Sequence, residues 1–254
     1  MKQSIDLNQF NVQQGYGVSS RYKVINTVEL LKPFQDAGFE VSRIAKARVN
    51  NPEREGYQRH AIWLRHAKML EVRSNAIPEL MLLTAHDGTC AAKIYKTIYR
   101  PACGNGMVLG AQHGIARIVH VGDAVTKAVN EALKLASEAS GVVKLVSRME
   151  LTLLSGLQAL DFARQAGEIV YPENAMFEAA QLLVERREAD TGQDLWTIFN
   201  VVQENLLKGG AKYIMQKPDG KMRKNSLRAV GSLNRSVELN QKLFDLAETF
   251  IKGV

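Results

Sequence analysis

The residues best suited to chemistry lie in one short stretch, 208–228, where cations alternate with glycines and apolar residues. It holds seven lysines and arginines against one acid, Asp219, so its net charge is +6 in a chain whose net charge is +7. Cations at this density neutralise phosphates, and Tyr213 among them is a candidate for stacking on a base. A solvated surface loop is the alternative. The candidates for phosphate contact are Lys208, Lys212, Lys217, Lys221, Arg223, Lys224 and Arg228.

A second basic region lies nearer the N-terminus. Residues 43–73 hold eight lysines and arginines against three acids, so their net charge is +5 and the rest of the chain, outside both regions, is acidic. Segregated positive charge predicts two walls of a groove for a nucleic-acid backbone. A solvated sheet face is the alternative for this second region. The candidates for the second wall are Arg43, Lys46, Arg48, Arg59 and Arg65.

Metal and nucleophile chemistry have weaker candidates. His86, Asp87, His120 and Asp123 could hold a divalent metal if the fold brings them together. No closely spaced His/Cys set supports that hypothesis, and His86 with Asp87 is also typical of a turn. Free cysteines are common as buried residues, and no Gly-rich loop has phosphate-binding spacing. The sequence therefore indicates neither a cofactor nor an enzyme.

Composition and length predict a folded protein that does not associate with a membrane. The chain has 254 residues, of which 46% are hydrophobic and 23% charged. This length supports a sizeable core, and two cysteines without a disulfide framework are usual in a reducing cytosol. No signal peptide opens the sequence, and no apolar run reaches the roughly 20 residues of a membrane helix. We therefore expect a cytoplasmic location.

The elements that must position these residues form an α+β pattern, with an N-terminal helix and an antiparallel β-meander before a helical C-terminal half. Residues 1–20 are predicted to form a polar arm and 21–254 a single domain. Asn26 and Glu29 indicate the start of a helix that runs to about residue 35. Asp87-Gly88 and Asn105-Gly106 predict hairpin turns. Strands are predicted near 40–50, 59–71, 78–86, 90–101 and 107–119.

Beyond about residue 123 the apolar period becomes helical. Leucine and methionine recur through 142–166, at Leu153, Leu157 and Leu160 among others, which predicts one helix with an apolar side. Pro218-Asp219-Gly220 predicts the turn of a basic loop or hairpin. The predicted helices span about 123–141, 142–166, 172–188, 194–207 and 232–251.

Several short motifs in a fixed order carry a family resemblance over residues 20–251. They are RYKVINT at 21–27, PEL at 78–80, HDGT at 86–89, YRPACGNG at 99–106, RIVHVG at 117–122, LWTIFN at 195–200 and LRAVG at 227–231. In these motifs the chain resembles the phage- and plasmid-borne family known as domain of unknown function 932, also described as prophage proteins. Pro101-Ala102 departs from that pattern, in which branched apolar residues precede the cysteine.

The resemblance implies a mobile-element setting, hence a host cytoplasm, but it carries no residue roles. In outline the predicted fold is similar to phage single-strand annealing proteins of the RecT, Redβ and Erf type, which assemble as rings or filaments on single-stranded DNA. The leading hypothesis is a homo-oligomer that binds single-stranded DNA without sequence preference and promotes annealing in recombination. A non-enzymatic anti-defence or host-interaction protein is the first alternative, and a metal-dependent nuclease is the second.

Overall fold

A computed structural model describes residues 7–19, 22, 24–67, 76–101, 105–109, 115–118, 124–216 and 219–253 of the chain. The contacts between residues divide the chain into two compact units, Met1–Val143 and Lys144–Val254. The predicted α+β class with a helical C-terminal half is confirmed. The single domain predicted over 21–254 stays a prediction.

The first unit is built on an antiparallel sheet. Five of its strands pair in chain order, as a meander does, and the sixth also pairs with the fourth strand, nearer its N-terminal end than the fifth does. The described parts of the strand predicted over 107–119 form two short strands, while residues 110–114 and 119 lie outside the described ones. Asn105 begins a strand where a turn was predicted. The strands are β1 (Phe39–Lys46), β2 (His60–His66), β3 (Ile77–Thr84), β4 (Ala92–Arg100), β5 (Asn105–Val108) and β6 (Ile115–Ile118).

Two helices, α1 (Thr27–Asp36) and α2 (Ala124–Ser137), pack on one face of this sheet. The α1 helix begins where the Asn26 side chain accepts hydrogen bonds from two backbone N–H groups, as the sequence predicted. Apolar residues of both helices form one buried cluster with alternate residues of β2, β3 and β4, because alternate side chains of a strand share a face. This cluster includes Leu30, Phe34, Ile62, Leu64, Leu80, Leu82, Ile94, Ala132 and Leu135.

The N-terminal segment, predicted to be a polar arm, is joined to the first unit from residue 7 onward. Phe10 is fully buried and stacks on the ring of His60, with ring centroids 3.9 Å apart. The Asn26 amide donates to the side chain of Asn11 at 2.8 Å. A buried aromatic residue and polar contacts together attach the segment, and the polar composition concealed this.

The second unit combines helices with a three-stranded antiparallel sheet of order β7-β8-β9. Aromatic rings of three helices meet in its core, where Phe199 lies 4.6 Å from Phe244 and 6.4 Å from Phe162 between centroids. The helix α3 crosses the boundary between the units. The elements are α3 (Ala139–Leu151), α4 (Gly156–Glu168), β7 (Ala175–Phe177), α5 (Leu195–Lys208), β8 (Lys212–Gln216), β9 (Met222–Ser226) and α6 (Leu233–Lys252).

Two predicted helices of this unit were wrong in their extent. Residues 152–155 interrupt the helix predicted over 142–166, because the backbone of Leu154 and Thr152 hydrogen-bonds to residues 193 and 195 instead. The helix predicted over 172–188 is the strand β7 followed by a short 3₁₀ helix, Ala179–Leu183. In both places long-range backbone pairing outweighs local helix propensity. Within the residues that the structure describes, no helix has the length and apolarity to cross a membrane.

Candidate nucleic-acid interface

The basic segment 208–228 is an antiparallel hairpin made of β8 and β9. At its tip, Asp219 accepts a hydrogen bond from the Lys221 N–H at 3.0 Å, and Gly220 adopts a φ of +79° that favours glycine. Lys217 and Pro218, on the other side of the turn, lie outside the described residues. The turn chemistry of Asp219-Gly220 thus sets the direction of the cations on the two strands.

The base of the hairpin is fastened to the end of α5. Gly209 ends the helix with a φ of +68°, and a side chain there would come within 2.6 Å of the Leu227 carbonyl oxygen. Backbone hydrogen bonds of 2.8–2.9 Å join Gly210 to Leu227 and Val230 to Leu207. The hairpin therefore leaves the helix in a defined direction.

Lys208, the first of the predicted phosphate ligands, is bound within the protein. Its ammonium group donates to the buried carboxylate of Glu204, which also accepts two hydrogen bonds from Arg187 at 2.6 and 2.7 Å. Burial alone would raise the pKa of Glu204, but the bonds from Arg187 and Lys208 outweigh it and hold that pKa at about 2. Arg187 also contacts Asp190 at 2.7 Å. Lys208, itself exposed, thus completes an ion-pair network around two buried carboxylates at the root of the hairpin.

One face of the β7-β8-β9 sheet is packed against the protein. Phe177 and Tyr213 lie opposite each other on neighbouring strands, and both contact the ring of Tyr171, at 4.2 and 5.3 Å between centroids. A side chain at Gly167 would lie 2.4 Å from the Phe177 ring, so this helix position needs glycine for close approach. Tyr213, the predicted stacking residue, is therefore half-buried in an aromatic cluster and not a free ring.

The other face of this sheet is open, and we call it the platform. Its centre is apolar, with Ile214 directly between Met176 and Lys224 on the flanking strands. Met176 is 50% exposed and Met222 60%, which is unusual for large apolar side chains. Lys212 and Lys224 are exposed and make no ion pair with any described residue. The platform comprises Met176, Lys212, Ile214, Gln216, Met222, Lys224 and Ser226.

A cavity of about 880 Å³ opens beside the platform. Gln181 forms one side of it and is held by the backbone of Lys212, whose N–H donates to the Gln181 side chain at 2.8 Å. One acid, Glu178, also lines the cavity. The space exceeds what a nucleoside needs, and its walls offer apolar carbons, amides, two hydroxyls and two ammonium groups. Its lining comprises Met176, Phe177, Glu178, Gln181, Lys212, Tyr213, Ile214, Lys224, Asn225 and Ser226.

Three further cations of the hairpin segment are also exposed. Lys221 lies next to the tip, Arg223 lies on the packed side of the sheet opposite Met215, and Arg228 follows β9. None of the three makes an ion pair within the described part of the chain. Five of the seven predicted phosphate ligands therefore have charge available for a polyanion.

The cations of the first sheet are placed differently. Arg43 and Arg65 both donate to the fully buried carboxylate of Glu79, at 3.0 and 2.7 Å. The Arg43 guanidinium also lies 4.1 Å from the centre of the Trp63 ring, and both guanidinium groups lie near Tyr99. Burial lowers the pKa of Arg43, although Glu79 acts in the opposite direction. Two cations of the predicted second wall thus serve an internal cluster.

The remaining predicted ligands of this sheet are divided. Lys46 forms an ion pair with Glu55 and donates to Gln9 at 2.9 Å, while Arg59 donates to the Thr89 carbonyl at 2.8 Å. Arg48 is exposed, without an ion pair to any residue that the structure describes. The strands bring Arg43 and Arg65 together, but Lys46 lies on the opposite face of the sheet.

The predicted metal ligands that can be located are engaged with the protein. The Nε2 atoms of His60 and His86 both lie 2.9 Å from the Thr27 hydroxyl, and their Nδ1 atoms face backbone carbonyls. Asp87 binds Arg54 at 2.7 Å and the Thr89 hydroxyl at 2.6 Å. His120 and Asp123 lie outside the described residues. Among the described ones, no group of three or more His, Cys, Asp or Glu side chains is arranged for a metal.

Burial lowers the pKa of His60 to about 4, and the neighbouring His86 lowers it further. The hydrogen bond that the His60 ring donates to the Gln58 carbonyl acts in the opposite direction. His60 is therefore neutral near pH 7. The imidazole pair behaves as a buried polar contact between α1 and the sheet, which is a structural role.

Three contributors to these surfaces were missed in the sequence. Met176 lies in a segment predicted to be helical, and that prediction conceals its pairing with the hairpin. Glu79 was not recognised as the acid that binds two arginines, because its partners Arg43 and Arg65 lie 36 and 14 residues away. Glu204 is different, since its spacing of four from Lys208 on one helix is a recognisable ion-pair signal.

Comparison with known proteins places these features in a family. Residues 16–244 match the family described as Domain of unknown function (DUF932). The UPF0380 protein YfjQ of Escherichia coli (strain K12) is 31% identical over 234 residues, which cover 92% of this chain and 84% of that protein. The UPF0380 protein YafZ of the same organism is 30% identical over the same shares. No solved structure matches the chain, so the outline likeness to RecT-type annealing proteins has no structural support.

Proposed function

The chain belongs to the DUF932 family, and from that premise we propose that this member binds single-stranded DNA on the platform of its second unit. The observation that carries the proposal is a set of exposed cations, none paired with an acid in the described part of the chain, around an exposed apolar sheet face. Lys212 and Lys224 flank Ile214, and methionines extend the apolar surface on either side.

The cations supply the affinity. A lysine without a protein carboxylate loses no internal contact when it binds a phosphate, and it releases a counterion from the DNA. Lys212 and Lys224 lie on the platform itself, while Lys221 and Arg228 lie near the two ends of β9. Consecutive phosphates of one strand can therefore be met along the length of the hairpin.

The apolar centre favours a single strand over a duplex. Unstacked bases expose flat apolar faces, which a duplex keeps inside its stack. Met176, Ile214 and Met222 offer polarizable and adaptable contacts that do not depend on base identity. The polar lining of the adjacent cavity, including Asn225 and Gln181, gives the base edges hydrogen-bond partners. The proposal thus predicts little sequence preference.

The test measures binding of a fluorescent oligonucleotide as a function of salt concentration. The four exposed cations on and beside the platform predict a slope of about −2.8 in a plot of log affinity against log salt. Replacing Lys212 and Lys224 by Ala should reduce the steepness of the slope by about 1.4 and the affinity by roughly 20-fold at 0.1 M salt. The matched control replaces two exposed lysines of the first unit, Lys32 and Lys127, which changes the net charge equally.

A control variant that loses as much affinity as the platform variant would show that net charge, not the platform, attracts DNA. Absence of binding at low salt, or a salt-independent affinity, would remove the proposal. A duplex of the same length serves as competitor and should bind more weakly than the single strand. Strand annealing and assembly into rings or filaments stay predictions.

A further inference from the structure

Four leucines of the second unit are exposed within one run of ten residues. Leu151 is 83% exposed, Leu153 66%, Leu157 81% and Leu160 39%. Leucine is usually buried, so a group of this kind marks a contact surface. We call it the leucine ridge.

Local structure explains why the ridge points outward. The backbone of Thr152 and Leu154 pairs with residues 195 and 193, so these two side chains turn inward and Leu153 between them turns outward. In α4 a capping box of Ser155 and Gln158 sets the helix start. The buried side of α4 is filled by other residues, Ala159, Phe162, Ala163 and Ala166, which leaves Leu157 and Leu160 on the outer side.

An apolar groove adjoins the ridge. Its volume is about 180 Å³, and the same run of residues contributes Leu154, Gly156 and Ala159 to its lining. Leu183, Ile198 and Val201 provide the rest of the apolar wall. Thr197 and Gln193 contribute polar groups, and two acids, Glu185 and Asp190, also line the groove. The groove is large enough for one leucine side chain, and no side chain of the described residues fills it. Protruding leucines and a hollow that fits them are therefore neighbours on one surface.

We propose that two copies of this chain associate through this surface, with Leu157 of each copy inserted in the groove of the other. A two-fold interface requires that one patch contain both the protruding part and the matching hollow, and this patch contains both. The ridge itself is uncharged, and of the two acids that line the groove, Asp190 is buried and paired with Arg187 at 2.7 Å. Two-fold pairing closes on two molecules, and it involves neither the platform nor its cations.

Sedimentation equilibrium of the full chain tests the association. The wild type should be a dimer at micromolar concentration, and Leu157→Glu should weaken self-association at least about tenfold, because two carboxylates would enter an apolar interface. Leu157 is 81% exposed, so the folded monomer loses little. Asn130→Glu, which adds a carboxylate to an exposed position of α2, is the matched control and should remain a dimer. A monomeric wild type, or a Leu157→Glu variant as dimeric as the control, overturns the proposal.

Cross-linking tests the specific contact. In a background in which Cys90 and Cys103 are replaced by Ser, Leu157→Cys and Thr197→Cys variants are mixed and treated with a short bismaleimide. Insertion of the ridge into the groove predicts more covalent dimer from the mixture than from either variant alone. Equal yields from the mixture and the single variants would overturn that contact. Oligonucleotide affinity is measured at protein concentrations below those at which dimers form. It should then be the same for Leu157→Glu and wild type, so the dimer proposal and the DNA-binding proposal can fail independently.

Discussion

The sheet of the first unit and the hairpin of the second hold similar numbers of cations in the sequence, yet they use them in opposite ways. In the first sheet, Arg43 and Arg65 converge on one buried carboxylate, Glu79, and lie over aromatic rings. In the hairpin, Lys212 and Lys224 point to solvent and make no ion pair within the described residues. The difference lies in which cations have an acid within reach.

This comparison shows that a local net charge does not identify an interface. A cation bound to a buried carboxylate can move to a phosphate only if the carboxylate stays buried without its counter-charge. This costs several kcal/mol. A cation in solvent has no such cost. Available charge is therefore a property of the folded chain, and its distribution between the two regions leads to predictions that differ in kind.

The largest expected effect follows from removing the acid of the first sheet. Glu79→Gln leaves Arg43 and Arg65 partly buried without their counter-charge, so the unfolding free energy of the first unit should fall by about 3–5 kcal/mol. The chain has two tryptophans, Trp63 in β2 and Trp196 in α5. In a Trp196→Phe background, Trp63 fluorescence during urea unfolding reports on the first unit alone.

The control for this prediction is Glu131→Gln at an exposed position of α2, where a change within about 0.5 kcal/mol is expected. Equal stability of the two variants would mean that Glu79 contributes nothing that a neutral amide cannot supply. In that case the two arginines would be as available as the hairpin lysines, and the contrast between the regions would disappear.

The second effect is the response of the first unit to acid. The pKa of His60 is lowered in the fold to about 4, below the usual 6.5, so the unfolded chain binds the proton more readily. Stability is therefore complete above pH 6.5 and falls as the pH drops toward 4, by up to about 3 kcal/mol over that range. In His60→Phe about one proton fewer should be taken up on unfolding in this pH range. The slope of the unfolding free energy against pH should therefore be smaller by roughly 1.4 kcal/mol per pH unit.

Trp63 fluorescence in urea, repeated at several pH values, measures this slope. If His60→Phe loses stability between pH 6.5 and 4 as steeply as the wild type, groups other than His60 cause the acid sensitivity. The affinity for an oligonucleotide should show no parallel loss over the same pH range as long as the chain stays folded. This outcome would show that the buried polar groups of the first sheet affect stability, whereas the exposed cations of the hairpin affect DNA binding.

The features that could be predicted from the sequence are local. Asn26 was recognised as a helix cap and Asp87-Gly88 as a turn between strands, because the residues that make these structures are neighbours in the chain. The recurring leucines at 153, 157 and 160 gave a false continuous helix. Their spacing is helical, but backbone pairing with residues 193 and 195 breaks the helix before α4.

The candidate site was harder to predict because its organisation is long-range. Met176 joins the platform through a strand pair with Ile214, 38 residues later, and nothing in its own segment indicates this. Arg43 and Arg65 looked like ligands of a polyanion because their acid lies two strands away from the first of them. Composition could therefore find the cations but could not tell which were free.

The smallest effect separates two lysines of the same segment, four residues apart. Both are exposed, but Lys208 is bound to Glu204, while Lys212 makes no ion pair with any residue that the structure describes. Lys208→Ala should leave the salt dependence of oligonucleotide binding unchanged and cost about 0.5 kcal/mol of stability, since Arg187 still holds the carboxylate. Lys212→Ala should reduce the steepness of the salt slope by about 0.7 and leave stability unchanged. If both variants lower the slope equally, the ion pair between Lys208 and Glu204 opens when DNA binds. Lys208 would then belong with the cations that are available to DNA.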